Sequence, residues 1–253
     1  MFKHVIVRKP GRSLVNGITS SNLGKPNYDL AVQQHDHYIN ALKSLDVKVK
    51  ILDASEQYPD AVFVEDTAVL AERCAVITHP GALSRQGEEI SIKEALNEFY
   101  TSFESIQAPG TLEGGDVMRV GDHFYVGLSA RTNEEGYRQF AAILNKFNYS
   151  ASAVKLEKFL HLKTGLAYLE HNNLLVSGEF IEHVDFKKFN RIIIDETEEY
   201  AANCIWFNNA VLIPMGYPKT AAAISKLGYK IMEVDVSEFQ KLDGGLSCLS
   251  LRF

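Results

Sequence analysis

Two residues in this 253-residue sequence suit covalent and proton-transfer chemistry, and a set of acids surrounds them in the chain. Cys248 follows Gly244 and Gly245, which allow the backbone close approach to a ligand. It is either a small buried hydrophobe or, as a thiolate, a nucleophile. His161, in Leu160-His161-Leu162-Lys163-Thr164-Gly165, stands ahead of a hairpin, where an imidazole can transfer protons near neutral pH or be a satisfied structural group. Cys74 and Cys204 lack a glycine pair, and His4, His35, His37, His79, His123, His171 and His183 read as structural. No C-x-x-C or H-E-x-x-H spacing occurs, and His35 and His37 face different ways on a helix, so no metal is expected.

Glu113-Gly114-Gly115-Asp116 lacks both G-x-G-x-x-G and a P-loop lysine, which argues against a nucleotide. Read as a strand, Asp60–Asp66 places Asp60, Val62, Val64 and Asp66 on one face and Glu65 on the other. Their apolar neighbours argue for burial, and a buried carboxylate is matched best by a planar guanidinium. Arg85 and Arg131, in turn-like segments, either hold a carboxylate or lie solvated. Acids for a cation and arginines for an anion together indicate a zwitterionic amino acid.

The elements that must position these residues recur along the chain. Strand patterns fall at 3–8, 47–52, 62–70, 74–78, 117–120, 124–127, 166–169, 174–177, 191–194, 204–207, 211–214, 230–236 and 246–253. Glu72-Arg73, Gly121-Asp122, His171-Asn172-Asn173 and Asn208-Asn209 read as hairpin turns. Helical patterns lie at 28–45, 90–100, 134–147 and 220–227, the third with a capping box of Thr132 and Glu135. Glu65-Asp66, Glu113, His161, Asn203 and Gly245 each precede a hairpin, at spacings of 48, 48, 42 and 42 residues. Repeats of this length are stacked or radial units. Five such units in a ring would bring these positions to its axis, with the first strand completing the unit begun by the last.

The chain is 46% hydrophobic and 23% charged, with a net charge of −6, composition for one globular α/β domain spanning residues 1–253. Its 32 acidic residues outnumber its 26 Lys and Arg, so no nucleic-acid partner is expected. No segment has the length of a signal or a membrane span, which places the expected location in the cytoplasm. Residues 10–27 exceed the usual ~12–15-residue limit for a structureless connection and read as an active-site lid.

On Phe63-Val64-Glu65-Asp66, Glu113-Gly114-Gly115-Asp116, Leu160 to Gly165 and Asp243 to Cys248, the sequence resembles the dimethylarginine dimethylaminohydrolases, of the guanidine-modifying amidinotransferase superfamily. The resemblance covers essentially the whole length. It implies a five-bladed α/β propeller with a central active site, no cofactor, and hydrolysis of methylated arginine to citrulline. It assigns Cys248 as nucleophile, His161 as proton carrier and Glu113 as its orienting partner. It further implies substrate contacts from Ile18, Asp60, Glu65, Asp66, Arg85 and Arg131. An outer face of such a ring can support a homodimer. The rival readings are arginine deiminase or amidinotransferase chemistry, whose members are typically longer, and a non-catalytic binding propeller of the same fold.

Overall fold

The computed structural model describes residues Met1–Phe253. Its strands are β1 (His4–Arg8), β2 (Lys48–Leu52), β3 (Ala68–Ala71), β4 (Cys74–Ile77), β5 (Glu104–Ser105), β6 (Val117–Val120), β7 (His123–Leu128), β8 (Ser150–Lys155), β9 (Leu166–Tyr168), β10 (Asn173–Val176), β11 (Asn190–Ile193), β12 (Ile205–Phe207), β13 (Ala210–Pro214), β14 (Lys230–Val234) and β15 (Leu251–Arg252). The helices are α1 (Tyr28–Lys43), α2 (Glu88–Leu96), α3 (Glu134–Lys146), α4 (Leu162–Gly165), α5 (Pro218–Ser225) and α6 (Ser237–Gln240).

The strands form five three-stranded sheets with one pattern. In β3-β4-β5, β6-β7-β8, β9-β10-β11, β12-β13-β14 and β15-β1-β2 the central strand runs antiparallel to the first and parallel to the third. A parallel pair needs a crossover. Helices α1, α2, α3 and α5 lie in four of the crossovers, and 3-10 turns at Gly178–Phe180 and Val184–Phe186 lie in the fifth. Four hairpins come from contiguous sequence, whereas β1 pairs with β15, Val5 opposite Arg252. The expected joining of the first strand to the last is therefore present. Left-handed backbone at Gly121, His171-Asn172 and Asn208-Asn209 makes the turns that sequence assigned to these residue types.

Contacts group the chain into two compact units, Met1–Phe63 with Gly165–Phe253, and Val64–Thr164. The first unit holds three of the sheets and two cores. One packs Val5, Val7, Tyr38, Leu42, Phe207, Phe239 and Leu249, and the other packs Leu169, Leu175, Val211, Ile213 and Ile224. The second unit has β3 to β8 around Val76, Leu112, Phe124, Val126, Phe140 and Leu144. Each fully buried side chain of this size stabilises its unit by roughly 1.5–3 kcal/mol. The apolar stripe read on α3 explains that helix: Phe140 and Leu144 are buried and the charged residues face outward.

Several expectations change. Residues 62–70 are not one strand, because Val64–Thr67 forms a 3-10 turn closed by Thr67 Oγ1 donating to the Val64 carbonyl, and pairing begins only at Ala68. The segment 246–253 likewise holds a 3-10 turn, Ser247–Leu249, so Cys248 precedes the last strand. Asn133, not Thr132, caps α3, its side chain accepting the Gly136 N–H, while Thr132 Oγ1 accepts the N–H of Glu113. The short β5 and the largely polar or small-residue β8 escaped the apolar pattern.

Candidate active site

Each sheet is preceded by a short helical turn. These are Val64–Thr67, Gly114–Asp116, α4, Glu196–Ala202 and Ser247–Leu249. The positions read from the repeat fall on or beside them: Asp66 within the first, Glu113 and His161 immediately before the second and third, Asn203 after the fourth, and Gly245 just ahead of the last, which itself carries Cys248. A helical turn feeding a strand leaves its side chains at the sheet end rather than in the ladder.

In the second unit, Asp66, Glu113 and His161 are buried, with one side-chain atom of each lying within 4.8 Å of the others. His161 Nε2 donates to Glu113 Oε2 at 2.8 Å. The other oxygen of Glu113 accepts the backbone N–H groups of Gly81 at 3.1 Å and Ala82 at 3.2 Å, and Arg131 Nη1 lies 3.5 Å from it. Asp66 takes Arg85 Nη1 on Oδ2 at 2.6 Å and the Gly115 N–H on Oδ1 at 2.8 Å. A β-carbon at Gly115 would lie 2.9 Å from both Asp66 Oδ1 and the His161 ring, so only glycine allows this approach.

Burial alone would strip the proton from His161, but Asp116, Asp66 and Glu113 outweigh it and raise its pKa to about 9. Burial opposes the charge of Glu113 too, and the imidazolium with Arg85 and Arg131 pulls its pKa well below the usual carboxylate range. The result is a buried imidazolium paired with a carboxylate, able to give a proton and take it back. A cation at this cluster would have to displace the Arg85 guanidinium and the imidazolium proton, so the donor set fits an ion-paired imidazolium better than a metal.

Glu65 does not point away from Asp66 as strand alternation implied, since both lie on the 3-10 turn. Glu65 is 3% exposed, and its carboxylate accepts from Lys163 Nζ at 2.6 Å. Arg85 is buried, and all three of its nitrogens donate to Glu88 or Asp66. Sequence reasoning singled out neither Glu88 nor Lys163, although Lys163 sits inside the His161 motif. Glu88 opens α2, where a leading acid reads as ordinary helix chemistry.

In the first unit, Cys248 is 8% exposed on a turn tied by Asn203. Asn203 Oδ1 accepts the Ser247 N–H at 2.9 Å, and its Nδ2 donates to Ser247 Oγ at 3.1 Å. A β-carbon at Gly245 would lie 2.5 Å from the Asn203 side chain, and one at Gly244 would lie 2.3 Å from the Phe63 ring. The glycine pair therefore seats the turn. Asp60 accepts the Ile18 N–H at 3.0 Å, so the structure brings these two sequence-selected residues together. The same loop is fastened by Ser20 to Asp243, 2.6 Å from its N–H, and by Thr19 to the Lys241 carbonyl. Burial pushes the thiol of Cys204 up to about 12 and that of Cys74 above its ordinary value, so both are packing residues.

A family model described as N,N dimethylarginine dimethylhydrolase, eukaryotic, matches residues 20–249. The N(G),N(G)-dimethylarginine dimethylaminohydrolase of Pseudomonas aeruginosa is 59% identical over 254 residues, covering 100% of both chains. A solved structure of the Pseudomonas aeruginosa enzyme, a cysteine-to-serine mutant complexed with citrulline, superposes with a TM-score of 0.99 at 58% identity over 100% of both chains. A dimethylarginine dimethylaminohydrolase with a histidine-to-glycine change, forming an adduct with S-methyl-L-thiocitrulline, matches with the same score, identity and coverage. The five three-stranded sheets are thus the five blades of an α/β propeller of this kind.

Proposed function

The chain belongs to the dimethylarginine dimethylaminohydrolase family, and from that premise we infer that it hydrolyses Nω-methylated arginines to citrulline and dimethylamine or methylamine. The observation that carries this reading is the buried His161–Glu113 pair, a proton donor held charged at neutral pH, in a chain that carries Cys248 on a similar helical turn before another sheet. The citrulline complex and the thiocitrulline adduct of the relatives support the same product and a covalent route.

In this reading residues 1–253 act as one catalytic domain. The Cys248 thiolate attacks the guanidinium carbon. The bond from that carbon to the methylated nitrogen then breaks, and His161 gives its proton to the departing amine. With Nε2–H donated to Glu113, Nδ1 is the nitrogen that carries the proton. Neutral His161 next takes a proton from water as its oxygen adds to the thiouronium carbon. The carbon–sulfur bond breaks and the oxygen's remaining proton passes to solvent, where the released amine takes it up, leaving citrulline and the thiolate. Water is the only co-reactant.

Substrate contacts are assigned to Asp66 and Glu65 at the guanidinium, Arg85 and Arg131 at the amino-acid end, and Asp60 and Ile18 at the loop. Binding then exchanges partners: Asp66 turns from Arg85 to the substrate guanidinium, and Arg85 turns a donor to the substrate carboxylate. A thiolate nucleophile suits the reducing cytoplasm, the proposed location. No helix is long and apolar enough to cross a membrane.

The test is citrulline release from asymmetric dimethylarginine, monomethylarginine and arginine by wild type and Cys248→Ser. Turnover of the methylated substrates that vanishes in the mutant is expected. A preference for arginine would move the chain to deiminase chemistry, and undiminished turnover by Cys248→Ser would remove the nucleophile assignment.

A further inference from the structure

The reaction as written leaves one fully buried acid without a role. Asp116 ends the turn that Glu113 opens. Its Oδ1 accepts the N–H of Leu162 at 3.0 Å, and its Oδ2 accepts the hydroxyl of Ser129 at 2.7 Å. Ser129 Oγ in turn accepts the N–H groups of Arg131 at 3.0 Å and Thr132 at 3.2 Å. Thr132 Oγ1 closes the circuit by accepting the N–H of Glu113 at 3.1 Å. The site is tightly enclosed: a β-carbon at Gly127 would stand 2.9 Å from Asp116 Oδ1 and 3.0 Å from the β-carbon of Leu162.

We infer that Asp116 is a positioning residue for the reaction proposed above, one carboxylate oxygen fixing the turn that carries His161 and the other the loop that carries Arg131. The inference rests on that functional reading. A single rigid carboxylate then sets the distance between the proton carrier and the guanidinium assigned to the substrate's amino-acid end. Backbone and hydroxyl donors hold both oxygens, so the carboxylate also acts on the imidazolium as a full negative charge. The charges facing His161 are Asp116, Asp66 and Glu113, with Arg85 and Arg131 opposing them through Glu113. Burial raises the pKa of Asp116 itself, while the His161 charge and the Ser129, Thr132 and Leu162 donors oppose that rise.

The two attachments predict different kinetic signatures. Asp116→Asn keeps an acceptor for Leu162 but loses the charge, and should lower kcat roughly tenfold to a hundredfold. It should also move the titration midpoint of His161, followed by NMR of labelled histidine, to lower pH by about one unit. The alkaline limb of the kcat profile should move with it. Ser129→Ala severs only the loop side, so it should raise KM severalfold and leave the His161 midpoint in place. An unchanged midpoint in Asp116→Asn overturns the proposal, as does a loss of kcat that matches only the loss of folded protein by circular dichroism. If Asp116→Asn does not fold, Ser129→Ala decides, and an unchanged KM overturns it. The NMR titration needs no turnover, so a wild type that makes no citrulline removes the functional reading while the His161 midpoints still report on the Asp116 contact.

Discussion

Glu113→Gln removes a negative charge 2.8 Å from His161 Nε2 while leaving an oxygen that can accept the same hydrogen bond. In the native protein the pKa of His161 rises from 6.5 to about 9, burial opposing the rise and Asp116, Asp66 and Glu113 together overcoming it. At ~1.4 kcal/mol per pKa unit, the folded state favours the imidazolium by on the order of 3 kcal/mol. The folded value lies above the unfolded one, so this stabilisation is fully present below pH 6.5 and is lost as pH rises through about 9. Glu113 behaves oppositely: its pKa is depressed, so its contribution is present above its ordinary 4.5 and fades in acid. Withdrawing one of the three carboxylates should remove on the order of 1 kcal/mol of the His161 contribution. Urea denaturation of both proteins, at about pH 6 and about pH 9.5, measures this directly. Stability of the native protein should exceed that of the variant at the lower pH, and the gap should narrow by on the order of 1 kcal/mol at the higher. A gap of the same size at both would show that Glu113 acts through packing and hydrogen bonds alone, and would refute the charge argument.

Asp66→Asn breaks a 2.6 Å buried ion pair with Arg85 and the proposed grip on the substrate guanidinium, so kcat/KM for dimethylarginine should fall by roughly a hundredfold or more, chiefly through KM. A chloroacetamidine should label Cys248 alone, because burial holds the thiols of Cys74 and Cys204 protonated, and peptide mass spectrometry will show adducts on the others if this is wrong. Gly244→Ala forces a methyl group to within 2.3 Å of the Phe63 ring and should cost ~1–3 kcal/mol in thermal unfolding, whereas an unchanged Tm would mean that the turn moves freely.

Much of this architecture was legible because it repeats. Polar or glycine positions at spacings of 48 and 42 in front of alternating apolar runs mark five units, and the joining of the first strand to the last follows from counting strands, although its register, Val5 opposite Arg252, does not. What escaped is local. Val64–Thr67 carries strand-like apolar neighbours, and nothing in its composition announces that Thr67 will bond back to the Val64 carbonyl and curl the segment. That curl is what places Glu65 and Asp66 together in the second unit. Thr132 and Glu135 have capping-box spacing, yet Thr132 is drawn off by the N–H of Glu113, a partner distant in sequence. Glu88 and Lys163 are bonded to the site residues Arg85 and Glu65, and Asp116 to the Leu162 N–H and the Ser129 hydroxyl, and contacts of that kind leave no periodic trace.

The pairing of β15 with β1 also bears on how the chain folds. The other four sheets each draw on one contiguous stretch, so their strands meet after closing short loops. The sheet β15-β1-β2 must instead join residues from nearly opposite ends of the sequence, a contact of very high order that is slow to form because so much chain entropy is lost in making it. The turn bearing Cys248 leads directly into that late-pairing strand. Contact order thus expects the strand after Cys248 to pair late, whereas the turn that carries the thiol has its own tie to Asn203, only 44 residues away in sequence.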